Sequence, residues 1–184
     1  MSNLQDIKTR KDIPKYLYDS CLIGNFIELG VHSGDNLKTL STYSPRLLIG
    51  IDTWDGNPTG ISVDRFNEDD CWDHYKKSIK VMLDNPCIKL IKGMSQKIIE
   101  VFDDSYFDFV YIDDDHSYEI TKNSLNLWWN KVRVGGILAG HDYFNEHGFG
   151  VIQAVDEFRS EKNILDMNFH ITSEVPPSFL IVKV

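Results

Sequence analysis

The chain has 184 residues, enough for one domain with its own core, and carries 28 acidic against 19 basic residues for a formal net charge of −9. With no basic run anywhere, that balance argues against nucleic acid or an anionic membrane as partner. Its 42% hydrophobic and 26% charged residues are the mix of a soluble globular protein, and the widely spaced Cys21, Cys71 and Cys87 suit reduced thiols in a cytoplasmic compartment rather than a disulfide framework or zinc site.

The first stretch, MSNLQDIKTRKDIPKYLYDS, is polar and mixed in charge, so no signal peptide is expected; residues 1–23 are expected to form a helical segment. No apolar run approaches the roughly 20 residues of a membrane helix. Six segments then read as strands: NFIELGV (25–31), RLLIGID (46–52), CIKLIKG (87–93), FDFVYID (107–113), GGILAGHD (135–142) and SFLIVKV (178–184). The second, fourth and fifth hold near-continuous apolar runs, as strands buried on both faces of a parallel sheet do. Between them lie helical spacings: Trp72, Tyr75, Ile79, Met82 and Leu83; Ile120, Leu127 and Trp128 after a candidate N-cap at Ser117; and Val151, Ile152, Val155 and Phe158.

Strand alternating with helix predicts a doubly wound, mostly parallel α/β sheet with helices on both faces. NFHITSEVPPSFLIVKV breaks the alternation and predicts an antiparallel edge pair at the C-terminal end. The Gly-, Pro-, Asp- and Asn-rich stretch 53–70 predicts a long lid-like loop. Without repeat or linker, one domain over 1–184 is expected.

In open α/β sheets, ligands sit beyond the carboxyl ends of the strands. The first strand ends in FIELGVHSGDN, where Glu28, Gly30 and Gly34 mark a turn that lets backbone approach a ligand. His32 occupies the second-glycine position of G-x-G-x-x-G, which weakens the case for a dinucleotide pyrophosphate. Asp52 ends the second strand 22 positions beyond Gly30. An acid so placed holds a ribose hydroxyl in such folds, or else caps a loop. Gly93 and Ser95 in KGMSQK can approach an adenine edge.

FIELGVHSGDN, GIDTW, KGMSQ, FDFVYIDDDHSYE and VGGILAGHDY follow the order of a class I S-adenosylmethionine-dependent methyltransferase with a Rossmann-like sheet. The chain resembles most the metal-dependent O-methyltransferases of macrolide and related natural-product sugars, and more distantly those of the caffeoyl-CoA and catechol type. The resemblance implies that Glu28 and Gly30 lie beside the methionine part of the cofactor, Asp52 at the ribose and Ser95 near the adenine. Ser33, Thr53, Gly93 and Asp113 join them as cofactor-binding candidates. Relatives of this kind often oligomerise, so a homo-oligomer is a further expectation, without a subunit number.

The cluster Asp113-Asp114-Asp115-His116 follows the fourth strand, and like charges packed so closely raise each other's pKa unless something cationic answers them. Adjacent strands lie about 4.8 Å apart, so Asp113 can converge with His141 and Asp142 at the end of the fifth. Two carboxylates there suit Mg²⁺. The resemblance implies a divalent ion at the same place, but with a second acid where this chain has His141. That histidine either supplies a nitrogen ligand, favouring Mn²⁺ or Fe²⁺, or points away and weakens the site. O-methylation needs a base, and His116 and Asp115 are the candidates. His116 is favoured because its ordinary pKa lies nearest neutral. Asp114, alternating to the other side of an extended chain, is the least expected participant. A solvated loop capping the next helix remains the plain alternative. The expected activity is methylation of a hydroxyl on a small molecule, a sugar or glycosylated natural product. An NAD-type oxidoreductase and a non-catalytic binder of S-adenosylmethionine stand as the rivals.

Overall fold

Near-continuous apolar runs build a sheet with two buried faces. The computed structural model describes residues 3–55, 68–144 and 148–184. In chain order its elements are α1 (Ile13–Asp19), β1 (Asn25–Leu29), α2 (Asp35–Leu40), β2 (Leu47–Asp52), α3 (Glu68–Asp84), β3 (Ile88–Lys92), α4 (Ser95–Ile98), β4 (Phe107–Ile112), α5 (Tyr118–Lys131), β5 (Val132–Gly140), α6 (Val151–Glu161), β6 (Phe169–Ile171) and β7 (Phe179–Val182), with short 3-10 turns between some of them. The seven strands lie in the order β3-β2-β1-β4-β5-β7-β6. The first five are parallel, and β7 runs antiparallel between β5 and β6.

Every residue of β1 and β4 is buried. Ile27, Leu29, Val110 and Ile112 face a core that holds Trp128 of α5 and Phe158 of α6. Phe26, Phe109 and Tyr111 face the opposite one, with Leu17 of α1 and Leu37 of α2. This is a doubly wound sheet with the predicted antiparallel edge pair. The strands are mostly shorter than expected, because the chain turns early: Gly30 already has φ 84° and ends β1. β5 instead starts three residues sooner, at Val132.

The predicted apolar face of α3 is rotated. Trp72 and Leu83 are exposed, at 57% and 73%, while Cys71 and Ser78 are buried. Small residues there let α3 close on the turn before α2, where a Cβ on Gly34 would meet Ser78 Cα at 3.2 Å. Of the predicted 53–70 loop, residues 56–67 lie outside the described residues, and Glu68 to Asp70 already belong to α3. The N-terminal segment is only partly helical and is stitched to the β6–β7 hairpin: His170 Nε2 donates to the Ile7 carbonyl at 2.6 Å, the Ser173 amide to the Lys8 carbonyl at 2.8 Å, and the Arg10 amide to Glu174 Oε1 at 2.7 Å.

Candidate active site

The carboxyl ends of the parallel strands open into a cavity of about 460 Å³, lined by the turns after β1 to β4 and by Asp142 after β5. Glu28, Gly30, Ser33, Asp52, Thr53, Gly93, Ser95, Asp113, Asp115 and His116 all line it. His141 joins through its contacts with Asp113 and Asp142. Gly30 is there of necessity: at its φ of 84° a Cβ would lie 2.0 Å from the carbonyl oxygen of Asp113. The turns after β1 and β4 therefore press backbone to backbone, where the strands' parallel register ends.

Asp52 ties two of these turns together. Its Oδ2 accepts from the amides of Val31 and His32, both at 2.8 Å, and its Oδ1 from the Trp54 amide at 2.7 Å. Two carboxylate oxygens can accept about four hydrogen bonds, so one position stays open for a ligand hydroxyl. His32, Trp54 and Asp142 have positive φ values of 51°, 46° and 56°, and all three line the cavity. Non-glycine residues held there cost about 1–3 kcal/mol each and cluster at functional sites. Glu28 is 1% exposed; its Oε1 accepts from Asn36 Nδ2 at 2.8 Å, while Oε2 is buried without a hydrogen-bond partner among the described residues. Burial pushes its carboxyl well above the usual range, with Asn36 pulling the other way.

Asp114 departs from expectation. Extended alternation stops at Ile112, so the side chain turns into the cavity wall, where Oδ2 accepts from Ser95 Oγ at 2.7 Å and Oδ1 from the Asp115 amide at 2.9 Å. Burial raises its pKa. Asp115 Oδ1 accepts from the amide of Ser117 at 2.8 Å and from its hydroxyl at 2.5 Å, so this carboxylate holds the entry to α5, and Ser117 at the N-cap accepts no helix amide with its side chain.

At the ends of β4 and β5 the charges meet. Asp113, His141 and Asp142 bring ligand atoms within 4.8 Å of one another. His141 Nδ1 lies 3.1 Å from Asp142 Oδ2 and 3.8 Å from Asp113 Oδ1, so its ring turns inward. His116 Nε2 approaches Asp142 Oδ2 at 2.7 Å, out of line for a hydrogen bond, and Asp113 Oδ1 at 3.8 Å. Its ring stacks on Phe149 with centroids 4.5 Å apart. Burial disfavours a charged ring, but the two carboxylates outweigh it and push His116 up to about 10. Burial likewise opposes a charged Asp142, yet the two imidazoles hold it well below the usual carboxylate range. Two hard oxygens and one imidazole nitrogen at this spacing form a donor set that fits Mn²⁺ or Fe²⁺, and Mg²⁺ less well.

Two aromatic rings beyond the strand-end acids also reach the cavity. His74 lines the cavity, its ring centroid 3.7 Å from that of His32. Trp54 lines it too and donates from Nε1 to the His32 carbonyl at 2.9 Å. Tyr143, the other aromatic beside a motif, packs instead against Phe169 and Phe179 and donates to Asp156 at 2.7 Å. His147 lies outside the described residues. Sequence alone carried no pointer to Arg10 or His74, since neither sits in a strand-end motif.

A family model described as a methyltransferase domain matches residues 27–143, from within β1 to just past the cluster. The chain belongs to that family, on the class I, S-adenosylmethionine-dependent fold. No curated protein matches. Among solved structures, an O-methyltransferase from Bacillus cereus in complex with S-adenosylhomocysteine is 14% identical, with 95% of this chain and 80% of that one covered at a TM-score of 0.64. The O-methyltransferase NovP is 17% identical, with 95% and 78% covered at 0.66. TomG from Streptomyces achromogenes, an O-methyltransferase of tomaymycin synthesis solved with S-adenosylmethionine, is 12% identical, with 95% and 79% covered at 0.62. At these identities the likeness establishes the fold that this methyltransferase shares with them. No helix among its described residues is long and apolar enough to cross a membrane.

Proposed function

We propose that this methyltransferase transfers the methyl group of S-adenosylmethionine to a hydroxyl of a small molecule, a sugar or glycosylated natural product, with a divalent ion held by Asp113, His141 and Asp142. The observation that carries the reading is the position of the Asp113–His116–His141–Asp142 cluster on the rim of the cavity that also holds Glu28, Gly30 and Asp52. A cation on those ligands, when bound, lowers the pKa of a hydroxyl beside it. The acceptor oxygen then forms its bond to the methyl carbon as the carbon–sulfur bond breaks, its electron pair staying on the sulfur of S-adenosylhomocysteine. The hydroxyl proton goes to the neutral ring of His116, which stands closer to Asp142 than any other candidate base.

Thermal-shift titration tests the reading. A ligand at 100 times its dissociation constant adds about 2.7 kcal/mol, roughly 5–11 °C in a chain of this size. S-adenosylmethionine and S-adenosylhomocysteine are expected to stabilise the protein and NAD to leave it unchanged, with a separate Mn²⁺ shift that Asp113→Ala abolishes. No response to either adenosyl compound would sink the cofactor assignment; an Mn²⁺ shift that survives Asp113→Ala would remove the metal from this cluster.

A further inference from the structure

The two oxygens of Asp113 face different neighbours. Oδ1 lies 3.8 Å from His116 Nε2 and 3.8 Å from His141 Nδ1. Oδ2 lies 4.0 Å from Arg10 Nη1. That separation is too long for a hydrogen bond, so the guanidinium acts on the carboxylate as a charge rather than as a fork of donors. The same charge reaches His141, the nitrogen donor of the cluster. Arg10 is the single Lys or Arg among the described residues that line the cavity.

The place of this charge is set by the backbone that carries it. The Arg10 amide donates to Glu174 Oε1 at 2.7 Å, and the same oxygen accepts from the hydroxyls of Ser178 at 3.1 Å and Thr172 at 3.2 Å. An incoming cation can therefore push the guanidinium no farther than its own side chain reaches. A divalent ion and a guanidinium drawn to one carboxylate repel each other. Solvent weakens that repulsion at the partly exposed Arg10 but does not abolish it. Arginine keeps its charge at any working pH, so the opposition is constant.

We propose that Arg10 is a resident counter-cation of the cluster, competing with the divalent ion for Asp113 and holding that ion's affinity down. The inference rests on the metal reading given above. It gives the N-terminal segment, outside residues 27–143 of the family match, control over how readily the metal site fills.

Calorimetric titration of the metal-free full chain with MnCl₂ tests it, with no methyl acceptor needed. Arg10→Gln and Arg10→Met are expected to bind Mn²⁺ about 5- to 20-fold more tightly than wild type, toward the lower end of usual couplings because solvent screens the guanidinium. Arg10→Lys keeps the charge without the fork and should bind like wild type. The gap between wild type and Arg10→Gln should narrow as KCl is raised, as a charge effect requires. Every variant keeps the amide that Glu174 accepts, and two uncharged replacements of different shape preserve the test if one folds poorly. Mn²⁺ affinity equal to or weaker than wild type in the uncharged variants overturns the competition and leaves the metal at the cluster. Arg10→Lys as tight as Arg10→Gln overturns it too, because charge is then not the cause. Absence of Mn²⁺ binding in wild type and variants alike overturns both the competition and the metal reading.

Discussion

At the scale of single residues, the acidic cluster is held together by histidines. Because His116 is raised from its ordinary 6.5 to about 10, its pairing stabilises the fold fully below pH 6.5, and that contribution drains away as pH climbs to about 10. Asp142 is depressed, so its contribution is present above its ordinary 3.8 and is lost on acidification. Metal-free protein is therefore expected to be most stable between about pH 4 and 6.5. Glu28 and Asp114, both raised by burial, cost stability as pH climbs above their ordinary 4.5 and 3.8, which pulls the maximum toward the acid end of that window. A pH series of melting temperatures on wild type and His116→Gln checks this: the variant should lose most of its stability at the acid end and show a flatter slope above pH 6.5. As the proposed proton acceptor, His116 should matter to the rate itself, and His116→Ala should cost about 10²–10⁴-fold in turnover. Unaltered turnover in His116→Ala would move the base elsewhere. The strand-end motifs made most of these residues legible in the sequence, because a near-continuous apolar run announces where it stops. The environment of His116 was not legible, since a pKa depends on which carboxylates the fold sets beside the ring. Asp114 was misplaced for a related reason: alternation says nothing beyond the last residue of a strand.

At the scale of elements, the site depends on two turns meeting without side chains between them. Gly30→Ala must hold an unfavourable φ and fit a methyl 2.0 Å from the Asp113 carbonyl. It is expected to cost about 3 kcal/mol, roughly 6–12 °C, and to weaken S-adenosylhomocysteine binding as the β1 and β4 turns part. A wild-type melting curve for this variant would refute the close approach. Trp128, fully buried in α5 against Phe107 and Phe102, supports the same strand from below, and its replacement by alanine should cost about 3–5 kcal/mol with little change in cofactor affinity per folded molecule. Helix and strand types were legible from periodicity, yet the buried face of α3 was not. Bulky residues marked one stripe, while close packing against α2 selected the stripe of Cys71 and Ser78. A pattern of hydrophobicity records preference for burial; it does not record how near two backbones must come.

At the scale of the molecule, one cavity gathers residues from position 10 to position 142, while the scaffold for its first member comes from positions 169–182. Removing residues 1–12 is expected to lower S-adenosylhomocysteine affinity, because Arg10 leaves the cavity wall, and to reduce the melting temperature as well, because Leu4 and Ile7 leave the core. Affinity equal to wild type after this truncation would take the segment out of the site. The pairing of the N-terminal segment with the β6–β7 hairpin also orders events during synthesis. Residues 8 and 10 are joined to residues 173 and 174 by hydrogen bonds that no nascent chain can make until the hairpin has left the ribosome. The parallel strands can pair earlier, but the N-terminal segment is fixed only once positions 173 and 174 have emerged. A chain made only as far as β5 therefore carries its parallel strands without that anchor for its N-terminal segment.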